Sequence, residues 1–417
     1  MSSLVFRGDA QQVTDVWRYE VGSDNPGEVF KINRNGKTIS VAQSLTLSTD
    51  VLIAAEMVRL LGISTEPEFF EYTWAIDSGA TTEFTGTQKE GGIPATFTHT
   101  GTTGTGGIAV TTAAAGPSFW SANNFDTGSL PVNGDSVYLF NTDTDVLYNL
   151  GQSAVTLAVL DVSLSYEGNI GNPEWNTSGS RPYLEDRDNY LAISATLARL
   201  GTGSGNGGGH WNLNFGTNAT TCYVYGSGSS DDRNYFPIRL KGVHATNSLI
   251  VLGGEVDVAP FYNDTATFPT IRVSGSGRVR CGAQVTMTTV EVLGSGSFSG
   301  YFIANSITTL TMRDNARVLI DGTNAGTTIT TANVYSGRLD YRAKGTIATL
   351  TLGPQAVFDA TNCPEGVTIT NCTRSAGSTI LDPNKKITFT NPITYSNCGV
   401  EDCPNDRLGK GITIARA

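Results

Sequence analysis

Charge is scarce in this chain: only 16% of its 417 residues are Asp, Glu, Lys or Arg, and there are only 3 His, 4 Met and 5 Trp. A disordered polymer pairs low hydrophobicity with dense charge, whereas here 39% of the residues are hydrophobic and recur throughout, so a buried core is expected. Long apolar runs are missing as well. Nothing approaches the roughly 18 residues of a membrane span, and membrane insertion is not expected. The first residues, Met1 to Asp9, lack a positive stretch leading into an apolar one, which points to synthesis in the cytoplasm without Sec export. The net charge is −11 and the basic residues are scattered, so no groove of Lys and Arg is evident to neutralise a phosphate backbone, and nucleic acid is not an expected partner.

Cysteine is sparse too. Cys222, Cys281, Cys363, Cys372, Cys398 and Cys403 are spread too widely for a small disulfide scaffold. Neither the Cys363/Cys372 nor the Cys398/Cys403 spacing is a CxxC knuckle, and no histidine follows His244 to complete a zinc site. Buried thiols are the expectation, with a late disulfide among the last four as the alternative; no metal and no cofactor is expected.

What the chain has instead is glycine, 48 of them, with much Ser, Thr and Asn between short β-rich runs. Residues 1–116 read as a compact α+β module. Phe30 to Val41 alternates apolar and polar residues on both sides of Asn35-Gly36, a pair that tolerates the positive φ angles of a tight hairpin. Ser48-Thr49-Asp50 then precedes the apolar stripe Val51 to Leu61, closed by Gly62, which predicts a helix. Strands are expected at 69–76, 95–100 and 107–112.

Beyond residue 116 no helical period returns. Thr270-Ile-Arg-Val, Thr289-Val-Glu-Val, Thr309-Leu-Thr-Met, Ala332-Asn-Val, Thr349-Leu-Thr-Leu, Val367-Thr-Ile and Ile387-Thr-Phe recur at about twenty residues, with a second short strand inside most intervals. That is the demand of one coil of a solenoid. No Leu-x-x-Leu-x-Leu frame supports a leucine-rich repeat. The expected fold is mainly β: a right-handed parallel β-helix behind a small α+β domain, with irregular coils and long loops at 117–265, regular coils at 266–395 and a cap or tail at 396–417.

Catalytic pairs are sought because β-helices host polysaccharide-cleaving enzymes, and glycoside hydrolysis needs two facing carboxyls about 5 to 10 Å apart. The candidates are Asp143 with Asp145, Glu185 with Asp186 and Asp188, Asp231 with Asp232, and Glu255 with Asp257; if on strands, Asp143/Asp145 and Glu255/Asp257 would share a face. Most of these acids sit among turn residues, where carboxylates cap backbone N–H groups, so no catalytic residue is assigned. His99, His210 and His244 are the only histidines, and His210 is expected in an exposed glycine-rich loop without a nucleophile motif. Asn141 to Asp145 offers oxygen ligands but no recognisable calcium loop. Trp175, Tyr183, Tyr190 and Trp211 are either a sugar-binding face or fillers beneath long loops.

The segment Trp120-Ser-Ala-Asn-Asn-Phe125 followed by Pro131-Val-Asn-Gly-Asp-Ser-Val137 resembles the Trp-Ser-x-x-Asn-Trp…Pro-x-x-Gly-Asp-x-Val opening of many bacterial surface and phage β-helix proteins, with Phe125 in place of the second Trp. With the hairpin-and-helix module ahead of it and the coils behind, the chain looks like uncharacterised virion-associated proteins of phages and prophages. The resemblance implies a non-enzymatic structural part of a virion, a decoration, stabilising or fibre-like component assembled in the host cytoplasm. Its implied partners are other virion proteins, copies of itself, a trimer first, and a host surface glycan. A tailspike-type depolymerase and a cell-surface adhesin are the rival readings.

Overall fold

The computed structural model describes residues 2–22, 28–79, 82–89, 95–101, 107–171, 174–176, 183–185, 189–228, 236–261, 263–301, 306–322, 327–396 and 407–408. A parallel β-solenoid of about ten turns dominates it, preceded by a small β-rich module.

The solenoid has two principal walls. On the first, Thr270, Thr289, Thr309, Thr331, Thr349 and Asn371 are register partners on successive coils, so five hydroxyls and an amide line the outer surface in a single column. The residue after each points inward: Ile271, Val290, Leu310, Ala332, Leu350 and Cys372 are all buried. On the second wall Arg278, Ser297, Arg317, Arg338, Val357 and Thr379 form an outer column, and Val279, Phe298, Val318, Leu339, Phe358 and Ile380 the inner one. Strict alternation explains why one face of each strand is wet and the other dry. Each buried Leu, Val, Ile or Phe contributes roughly 1.5–3 kcal/mol, which is what holds such short strands in register.

The longer strands, Ser306–Met312, Thr327–Val334, Gly345–Leu352 and Val367–Arg374, bend. Ile307 and Leu310 are both fully buried although three residues apart, a spacing that flat alternation forbids, and the ladder skips Thr308 and Thr330 between them. The strand therefore turns a corner there and begins a third, narrower row. Between the first and second walls the chain reverses through residues with positive φ, Gly275, Gly294, Asp314, Gln355 and Gly377 among them. Glycine suits that conformation, and Asp is tolerated in it.

The solenoid starts earlier than the sequence suggests. Ser3–Phe6 pairs in parallel with Ser136–Leu139, which pairs in turn with Val159–Val162. Phe6 is fully buried, stacked on Trp120 with ring centroids 6.3 Å apart and edge-on to Phe125 at 5.7 Å. Residues 1–116 are thus not one unit: the first rung belongs to the rod, and the module is an excursion from it, closed where Val13 bridges Ala115. The Trp120 motif has a mechanical role here. Buried Asn124 donates through Nδ2 to the Gly116 and Phe119 carbonyls at 2.9 and 2.7 Å, and its Oδ1 accepts from the Ala10 N–H at 2.7 Å. Asp135 accepts from the Ser2 and Val132 N–H groups at 2.7 and 3.1 Å, tying down the first rung; these bonds hold its carboxyl below the usual carboxylate range.

Inside the module, Tyr72–Ile76, Glu83–Gln88, Val16–Glu20 and Gly107–Thr112 form a four-stranded antiparallel sheet in that order, while Lys37–Ala42, Val29–Arg34 and Thr98–Gly101 form a second sheet. The hairpin turns at Asn35 (φ 49°) and Gly36 (φ 78°), as their residue types require. The helix is Asp50–Ile63, capped by Thr49, whose hydroxyl accepts from the Leu52 N–H, and it buries Ile53, Ala54, Met57 and Leu61. The strand expected from residue 69 begins only at Tyr72, because Pro67–Phe70 forms a helical turn with proline at its first position. Val16–Glu20 and Glu83–Gln88, unforeseen in the sequence, are central to the first sheet.

Candidate functional site

Charged side chains of the solenoid concentrate on the second wall and pair across coils. Glu255 and Asp257 share the outer face of Glu255–Val258, as their spacing predicts. Each is then met by an arginine one coil on: Glu255 by Arg278, and Asp257 by Arg280, whose Nε and Nη2 donate to Oδ1 and Oδ2 at 2.6 Å each. Asp257 is fully buried and also accepts from the Phe236 N–H at 3.0 Å. Both oxygens of this carboxylate are occupied, leaving it poorly placed to attack or protonate a glycosidic bond. Arg280 stacks over the Phe236 ring at 4.1 Å, which adds cation–π contact to the pair. Farther along, Arg338 meets Asp359, and Arg342 pairs with Asp340 at 2.9 Å, a contact that raises the Arg342 pKa further.

Among the described residues the one other acidic pair does not share a strand face. Asp143 and Asp145 lie outside any strand, so the shared face expected of them is not formed. Asp145 Oδ1 instead accepts from the backbone and side-chain amides of Asn169 at 2.7 and 3.0 Å, bracing one coil against the next. Glu185 lies in the short strand Tyr183–Glu185, while Asp186, Asp188, Asp231 and Asp232 lie outside the described residues.

The histidines stay apart. His99 packs edge-on to Tyr19 in the module, at 5.2 Å between centroids, and burial lowers its pKa. His244 Nδ1 lies 2.9 Å from the Thr246 hydroxyl in a turn. His210 donates its backbone N–H to Asn169 Oδ1 at 3.0 Å. The glycine run ahead of it is exposed at 203–206 and at Gly208 but packed at Gly207 and Gly209, the latter so close to the Gly168 carbonyl that a Cβ would collide with it. Of the two readings of Trp211 and Tyr190, a sugar-binding face or fillers, burial fits the second. Trp211 is buried in the core with Nε1 donating to the Gly168 carbonyl at 3.2 Å, and Tyr190 is buried with Lys241 Nζ over its ring at 4.3 Å. The side chains of Trp175 and Tyr183 lie outside the described residues.

Four thiols, Cys222, Cys281, Cys363 and Cys372, are buried and free, as expected; Cys398 and Cys403 lie outside the described residues. Burial pushes the Cys222 and Cys281 thiols far above their usual range, so both stay protonated and inert. Among the described residues no cluster of three His, Cys, Asp or Glu side chains could hold a metal ion, and the Asn141–Asp145 stretch spends its one oriented carboxylate on Asn169. Among the described residues no helix is long and apolar enough to cross a membrane.

Set against known proteins, the chain matches no family model, no curated protein and no solved structure.

Proposed function

We propose that the chain is a non-enzymatic structural protein of a bacteriophage-type virion, a decoration, stabilising or fibre-like component. The observation that carries this reading is the continuity of the rod. One apolar core extends from Leu4 to Ile393, and the wall outside it is laced by arginine–carboxylate pairs between adjacent coils. Such a body resists bending and proteolysis because every coil is held by its neighbours. The pairing of Glu255 and Asp257 with arginines favours a bracing role over a catalytic one. Placement in a virion draws on the resemblance carried by the Trp120–Val137 segment.

The module leaves the chain between the first rung and the Trp120 segment, at one end of the rod, and this favours attachment there with the far coils projecting. Other virion proteins are then its partners, copies of itself in a symmetric oligomer, a trimer first, and a host surface glycan the outer contact. Immunogold labelling of intact particles tests the assignment: label on the virion supports it. A protein absent from particles and found in a membrane fraction would instead favour the adhesin reading. Release of reducing ends from capsular polysaccharide, lost on replacing Glu255 and Asp257, would favour the depolymerase.

A further inference from the structure

Arg317 breaks the pairing rule of the second wall. Arg278, Arg280 and Arg338 each meet a carboxylate on an adjacent coil, but the register partners of Arg317 are Ser297 on one side and Arg338 on the other. Arg317 is exposed, and its guanidinium has no ion-pair partner among the described residues. It stands in a groove of about 760 Å³ that crosses several coils. Ser299, Asn315, Ser336 and Gln355 supply hydroxyls and amides around it, and Leu319 and Val357 give the floor two apolar patches. The acids in the lining are engaged: Asp340 with Arg342 at 2.9 Å, and Asp314 with the Gly294 N–H at 3.2 Å.

We infer that this groove binds a segment of acidic polysaccharide, with a uronate carboxylate on Arg317 in the place that Glu255 takes on Arg278. The planar guanidinium fork matches a carboxylate with two parallel hydrogen bonds. Hydroxyls and amides suit sugar hydroxyls, and the apolar patches suit the C–H faces of the rings. Coils repeat at about 4.8 Å, so an extended polymer along the axis passes Ser297, Arg317, Arg338 and Val357 in turn. The inference rests on the glycan contact proposed above and deepens it by naming its chemical class.

The test is calorimetric titration of the full chain with uronate oligosaccharides (galacturonate, mannuronate and guluronate, and glucuronate-containing oligomers) and with their methyl-esterified, uncharged counterparts. At least one acidic oligomer is expected to bind, and its ester not. Arg317→Gln should weaken binding about tenfold or more, the loss of one charge-assisted contact. Ser297→Glu should do the same by giving Arg317 an internal partner, as Glu255 does for Arg278. Arg272→Gln on the first wall should leave binding unchanged. The inference is overturned by failure of every acidic oligomer to bind, by equal binding of acid and ester, by retained affinity in either the Arg317 or the Ser297 variant, or by full competition from inorganic phosphate at equal concentration.

Discussion

Leu350→Ala should open the solenoid locally and leave the module untouched. Leu350 is fully buried on the first wall, and its register partners on the adjoining coils are the small residues Ala332 and Cys372. Neither can expand into the space a lost isobutyl group leaves, so the cavity stays. Leu→Ala in a core costs about 2–5 kcal/mol depending on how far the site collapses; poor collapse here puts the expected loss at about 3 kcal/mol. In a solenoid each coil contacts only its neighbours, so that loss is felt first by the strands Thr327–Val334, Gly345–Leu352 and Val367–Arg374. Native-state amide exchange read residue by residue is the assay. The amides of these three strands should lose about a hundredfold in protection, while the Phe30–Val41 hairpin, whose core is separate, should not change. An equal loss in the hairpin, or a loss of less than about threefold in the three strands, would refute the stacked-coil reasoning.

Removing Arg280 with methionine strands the buried Asp257 charge and should lower stability by about 3 kcal/mol, whereas Arg278→Met, which breaks a more exposed pair, should cost under about 1 kcal/mol; thermal melts of the two variants compare them directly. Asn124→Ala leaves the Gly116 and Phe119 carbonyls and the Ala10 N–H without their partner and should cost about 3 kcal/mol, read as early exchange of the Ser3–Phe6 amides. His99 is held neutral by burial, so its pKa is lower folded than unfolded. Its contribution is therefore present above the ordinary imidazole value of about 6.5 and is lost as pH falls below it. Urea titrations followed by tryptophan fluorescence should show His99→Phe losing less module stability than the parent between pH 7 and pH 5.

Much of the fold is legible because its signals are local. The Asn35-Gly36 hairpin, the Thr49-capped helix and the twenty-residue β repeat each depend on a few consecutive side chains, and each stands where those residues put it. Ser3–Phe6 carries no such signal. Four alternating residues fit many pairings, and the partner that fixes them, Ser136–Leu139, lies more than a hundred residues away. The burial of Trp211 and Gly209 is not legible for the same reason: it comes from Gly168 on a neighbouring coil. Glu255 and Asp257 were visible as a same-face pair, but the arginines that neutralise them are a coil away. The coils differ in length, so spacing along the chain does not announce who meets whom.

The sequence by itself determined that this protein would be a β-solenoid with a capped helix near its start, since period, turn chemistry and capping act between residues close in the chain. Only the tertiary structure decided that the first strand seals the rod, that the acidic pair is braced by arginines, and that Arg317 is left without a carboxylate among the described residues. Those outcomes depend on which side chains the coil-to-coil register brings within hydrogen-bonding distance, and that register is set by the packing of the whole core.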